Sequence, residues 1–122
     1  MNKRIELLME IIHNPRPEAQ VLDELSRYGA NGDGQMAYVS RSCFINTLRQ
    51  FKNQELSATE LKAWATRLLE RNEIGFEFGD EGALEEAVFQ LAHEEIYGKP
   101  NDLLCQHIEA MLERRGPDRA PQ

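Results

Sequence analysis

His93-Glu94-Glu95-Ile96-Tyr97 opens like the helical zinc-protease motif, in which two imidazoles one turn apart hold the metal. That motif needs a second histidine four residues after the first. Position 97 is Tyr, so the motif fails. Cys105 and His107 stand two apart in a helical pattern, where side chains point about 200° from one another and cannot share an ion. A zinc site would have to be assembled across helices from His93, Cys105 and His107. Asn31-Gly32-Asp33-Gly34 matches part of an EF-hand loop: with Gly34 at the invariant glycine, Asn31 and Asp33 fall on ligand positions and Met36 on an apolar one. Gly29 and Ser40, however, occupy the first and last positions, where carboxylates belong. One carboxylate is too few for a hard cation, so an ordinary glycine turn is expected, with no metal and no cofactor. The serines at 26, 40, 42 and 57 have no His and Asp in a triad frame, and no glycine-rich phosphate loop precedes a helix. Glu85-Glu86 and Glu94-Glu95 are carboxylate pairs, but neighbours on a helix diverge and cannot share a proton. No catalytic set emerges, and an enzyme is not expected.

Charge is distributed far less evenly than the motifs. The chain holds 14 Lys+Arg and 21 Asp+Glu, a net charge of -7. Between Arg71 and Lys99 there is no basic residue, while Glu73, Glu77, Asp80, Glu81, Glu85, Glu86, Glu94 and Glu95 all fall there. Eight of the 21 acids therefore lie in one window, and the other 13 face 14 bases. A helix dipole favours acids in a first turn, and an acidic face aids solubility. The alternative is a docking surface for a basic partner, because concentrated charge steers association. An inhibitor covering the cationic groove of a nucleic-acid-cleaving enzyme would carry such a surface. Phe76 and Phe78 lie inside the window, either as binding anchors or tucked into the core. The candidate partner-binding set is Glu73, Phe76, Glu77, Phe78, Asp80, Glu81, Glu85 and Glu86.

The elements that must hold this window are helical. Ile5, Leu8, Met9 and Ile12 give one face of a helix over 3–13, which Pro15 and Pro17 break. Pro17 suits the first turn of a second helix reaching Tyr28, with Gly29 ending it. Phe44, Ile45, Leu48 and Phe51 mark a third from about Ser40 to Lys52. Ser57-Ala58-Thr59-Glu60 is a capping box opening a fourth, with Leu61, Trp64, Ala65, Leu68 and Leu69 on one side and Gly75 as its end. Phe76-Glu77-Phe78 alternates too briefly for a strand. A fifth helix runs from 81 or 82 to Ile96. A sixth is capped by Asn101 or Asp102 and stopped by Gly116-Pro117. The expected architecture is a single all-α bundle of five or six mostly antiparallel helices over 1–115, with a polar tail over 116–122.

The length of 122 residues fits one domain, and 41% apolar with 29% charged residues fits a water-soluble globule. The acidic balance argues against nucleic acid as a partner. No run approaches the length of a membrane span, and Glu6 and Glu10 interrupt the apolar run after Lys3-Arg4, so no leader is expected. Two distant cysteines, Cys43 and Cys105, read as reduced thiols of a cytoplasmic protein. The first helix is apolar almost all round, through Ile5, Leu7, Leu8, Met9, Ile11 and Ile12. That surplus predicts an exposed patch and, as the alternative to docking a basic partner, a structural or regulatory helical module that acts as a homo-oligomer such as a homodimer.

Leu56-Ser57, Glu60-Leu61, Trp64-Ala65, Leu68 and Glu73-Ile74, followed by an acidic helix, resemble small all-α bacterial proteins over 56–98. Among these are the immunity proteins paired with contact-dependent growth-inhibition toxins. The resemblance implies a cytosolic antitoxin that binds a basic toxin domain through the window 73–95 and covers its active site.

Overall fold

The computed structural model describes residues 3–27, 37–71, 73–79 and 81–114. Along the chain these form α1 (Lys3–His13), α2 (Ala19–Ser26), β1 (Ala37–Val39), α3 (Arg41–Lys52), α4 (Ala58–Glu70), β2 (Ile74–Phe76), α5 (Glu81–Ala92), α6 (Glu94–Tyr97) and α7 (Asp102–Arg114). The fold is an all-α bundle, as the periodicity predicts, with one small sheet added. The glycine turn and the tail over 116–122 lie outside the described residues.

Helix starts follow side-chain chemistry. Ser57 Oγ accepts from the Glu60 amide at 3.0 Å, and the Glu60 carboxylate accepts from the Ser57 amide at 2.9 Å. This is the reciprocal box that satisfies two amides with no helical partner. Ser40 Oγ caps α3 by accepting from the Cys43 amide, and Asn101 Oδ1 caps α7 by accepting from Leu104. Trp64 is the bulkiest fully buried side chain. Its indole nitrogen donates to the Ile12 carbonyl at 3.0 Å, and its ring meets Phe44 with centroids 5.5 Å apart. A buried Trp needs such a partner for its N–H. Arg67 donates to the Pro15 carbonyl, tying the turn after α1 to α4.

Four features differ from expectation. Helix α4 stops at Glu70, not Gly75, because Arg71 turns extended (φ -119°, ψ 117°) and sends its guanidinium to Glu73. Gly75 instead lies buried in β2, which pairs in parallel with β1 in the register Ala37↔Ile74, Tyr38↔Gly75, Val39↔Phe76. Helices α3 and α4 together form the crossover that a parallel pair requires. The helix expected to run to Ile96 breaks at His93. There the imidazole Nδ1–H donates to the Phe89 carbonyl and the ring stacks on Phe89 at 3.9 Å; α6 is a separate single turn. The apolar surplus of α1 is absorbed within the chain. Leu7, Leu8, Ile11 and Ile12 are buried, with α2, β1 and α4 packed around the helix, and only Met9 is exposed. The patch predicted for a homodimer on α1 is therefore not present.

Glu73 is the buried charge of the core, with no solvent exposure at its side chain. Arg4 of α1 and Arg71 after α4 both donate to it, one to each carboxylate oxygen. Its carbonyl also accepts from the Ala37 amide and so joins β1 to β2. Removing one member of a buried ionic set costs about 3–5 kcal/mol, because the remaining charges stay desolvated and uncompensated. Glu73→Ala is expected to lower the unfolding free energy by that amount in urea denaturation, whereas Glu85→Ala on the surface should change it by less than about 0.5 kcal/mol.

Candidate functional site

The two short strands point their carboxyl ends the same way. From there β1 enters α3 through Ser40, and β2 leads through residues 77–80 into α5. An open cleft of about 560 Å³ lies at this corner, lined by Tyr38, Ser40, Phe76, Glu77, Phe78 and Glu81. Tyr38 alternates outward between buried Ala37 and Val39 and is half exposed. Phe76 leans partly on the core, while Phe78 is 93% exposed. An aromatic ring left that open forgoes burial worth about 1.5–3 kcal/mol. Glu77 accepts from the Arg41 amide at 2.9 Å, and Glu81 accepts from the Gly79 amide at 2.9 Å. Both carboxylates are thus pinned at the cleft by the backbone.

Glu81 also begins the outer face of α5. Ala83, Leu84, Ala87, Val88, Leu91 and Ala92 face inward, and Glu81, Gly82, Glu85 and Glu86 face out. Gly82, Glu85, Glu86 and the half-buried Phe89 line a shallow depression of about 290 Å³ on that face. From Glu81 to Phe89 the helix rises about 12 Å, so its carboxylates lie within roughly a Debye length of their neighbours and reinforce one another. Glu81 and Glu85 are like charges one turn apart, which costs a helix a few tenths of a kcal/mol.

The eight sequence-derived site residues separate. Glu77, Phe78 and Glu81 are exposed at the cleft, Glu85 and Glu86 are exposed on the outer face of α5 that starts there, and Phe76 is partly buried at the cleft wall. Glu73 is removed from the set: it is buried between Arg4 and Arg71 and offers no carboxylate to a partner. Asp80 lies outside the described residues. In the rest of the window, Glu94 pairs with Lys62 at 3.3 Å. Among the described residues no salt bridge engages Glu77, Glu81, Glu85, Glu86 or Glu95. Tyr38 was not singled out in the sequence, because only its pairing with Gly75 sets it beside Phe76.

Other chemistry is sparse. Cys43 Sγ lies 3.6 Å from His13 Nδ1 and 3.7 Å from the Ile12 carbonyl, to which it donates. This thiol–imidazole contact could not be read from residues 30 apart. Burial pushes the Cys43 thiol up, which disfavours the thiolate a nucleophile needs. A smaller cavity of about 210 Å³ is walled by Ile11, Leu22 and Leu25; the arginines at its rim, Arg67 and Arg71, are engaged by Pro15 and Glu73. Among the described residues no three His, Cys, Asp or Glu side chains gather as metal ligands, and no helix is long and apolar enough to cross a membrane. Cys105 is buried and His107 exposed on α7.

In comparison with known proteins, no family model matches the chain, and no curated protein or solved structure is significantly similar to it.

Both cysteines are free. Cys105 is pushed up to about 11, first by burial and then by Glu109 and Asp102. A thiol raised in the folded state stabilises the fold below its unfolded pKa, and that contribution is lost as pH rises from about 9 towards 11. Native protein at pH 8 is therefore expected to leave Cys105 unmodified by iodoacetamide, with full labelling on denaturation, as read by mass spectrometry.

Proposed function

We propose that the protein is a binding module that docks a basic protein domain on the corner formed by Glu77, Phe78, Glu81, Glu85 and Glu86. The observation that carries this reading is the fully exposed Phe78 set among carboxylates that no cation of the described chain neutralises. An aromatic anchor surrounded by steering charge supplies both terms of association. The ring gives desolvated contact, and the acids give speed and choice of partner. Both cost the free protein something, through unburied apolar surface and through repulsion along α5. A partner with a cationic surface relieves both at once.

The partner class that fits is a domain whose own function requires a basic groove, such as an enzyme that cleaves nucleic acid. Covering that groove would neutralise it. The protein then acts as an antitoxin of the immunity type, in keeping with the resemblance over 56–98. Its two free thiols suit the reducing cytoplasm. Glu73 stays outside this role and supports it only by holding β2, and so Phe76 and Glu77, in place.

The triple variant Glu81→Lys, Glu85→Lys, Glu86→Lys tests the reading. Proteins captured from the source cells by wild type are identified, and the activity and binding kinetics of the captured domain are measured. The expected partner is a basic domain whose activity wild type inhibits. Its association rate should fall at least tenfold with the variant and lose its dependence on salt. Unchanged association and salt dependence, with the variant's circular dichroism native, would contradict the docking role.

A further inference from the structure

We propose that the cleft at the carboxyl ends of β1 and β2 is a receptor for one arginine side chain of the basic partner. This deepens the docking role above and rests on it. A guanidinium is flat, permanently charged and weakly hydrated. It stacks on aromatic faces and directs two parallel N–H donors at carboxylate oxygens. The cleft supplies both kinds of wall. Tyr38, Phe76 and Phe78, three of the chain's nine aromatic residues (five Phe, three Tyr, one Trp), line it together with Glu77 and Glu81.

Charge complementarity fixes the sign of the occupant. Among the described residues no lysine or arginine side chain lines the cleft. The nearest cation along the chain, Arg41, sends Nη1 to the Leu112 carbonyl at 3.1 Å instead. Helices α3 and α5 begin at this corner, and their positive ends would oppose a cation. At α3 the chain's own oxygens already occupy two of the amides, Ser40 Oγ taking Cys43 and Glu77 Oε1 taking Arg41, and Glu81 Oε1 takes the Gly79 amide just before α5. Each glutamate keeps its second oxygen, and neither carries a salt bridge among the described residues. Because one oxygen of each carboxylate is held by the backbone, the pair is preorganised, and binding need not freeze two mobile side chains. A metal ion suits the cleft poorly, since three aromatic residues share its wall and the two carboxylates are tied to separate amides.

The test uses the free protein and three blocked amino acids: N-acetyl-arginine methylamide and its citrulline and lysine counterparts. Citrulline keeps the shape of the guanidinium and removes its charge. Titration by NMR is expected to give saturable shifts at Tyr38, Phe76 and Phe78 with the arginine probe at millimolar concentrations, about three- to tenfold weaker binding of the lysine probe and no saturation with citrulline. Phe78→Ala, at an exposed position that leaves the fold intact, should weaken the arginine probe several-fold, and so should Glu81→Gln. Absence of shifts with arginine, or equal binding of citrulline or lysine, overturns the receptor. Partner capture abolished by the triple lysine variant, with no arginine probe entering the cleft, leaves the docking surface standing and removes the receptor. Arginine filling the cleft while partner association ignores charge reversal removes the docking role instead.

Discussion

The carboxylate of Glu73, held without solvent between Arg4 and Arg71, is the contact on which the rest of the architecture depends. A charge removed from water is tolerated only where opposite charges and hydrogen bonds replace what water supplied. Here the replacements come from the first helix and from the end of α4, while the same residue's carbonyl reaches β1. One side chain thus joins the amino-terminal helix, the crossover and the sheet. The parallel pair of three-residue strands is too short to persist by its own ladder. It is sustained by this ionic joint and by apolar cover on Ala37, Val39 and Ile74.

That joint determines what stands at the sheet's far end. With β2 fixed, Phe76 rests partly on the core, Glu77 reaches the first amide of α3, and Phe78 is carried into solvent. Helix α5 then starts from the same corner with its charged side outward. Acids that look alike in the sequence therefore divide into two physical classes. Glu73 contributes to folding and is neutralised inside. Glu77, Glu81, Glu85 and Glu86 remain on the surface without cationic partners among the described residues, with the exposed Phe78 ring beside the first two.

Much of the helical framework was legible because amphipathic helices repeat their signal. The capping box at Ser57, the stripe from Leu61 to Leu69, the helix start near Ser40 and the cap at Asn101 or Asp102 were all readable, and the hydrogen bonds at Ser57, Ser40 and Asn101 show the local chemistry behind them. The strands were not legible. Three residues carry no period, and the partner of Ile74-Gly75-Phe76 lies 37 positions earlier. The fate of Glu73 was hidden for the same reason. Arg4 is 69 residues distant, and nothing local marks one glutamate of an acidic run as buried. The break at His93 was equally silent, since it comes from the ring turning back on Phe89. Of the candidate site, the acidity and the two phenylalanines could be read in advance. The cleft that joins them to Tyr38 could not, because it exists only through the pairing of the strands.

Carboxyl footprinting measures the division between these two classes most directly. Carbodiimide coupling of an amine, followed by mass spectrometry, reports the labelling rate of each glutamate in the free protein and in its complex with the captured basic domain. Glu73 is expected to resist labelling in both, and Glu77, Glu81, Glu85 and Glu86 to label rapidly when free and to be protected in the complex. Labelling of Glu73 at the rate of Glu85, or full reactivity of the α5 carboxylates in the complex, would contradict this division.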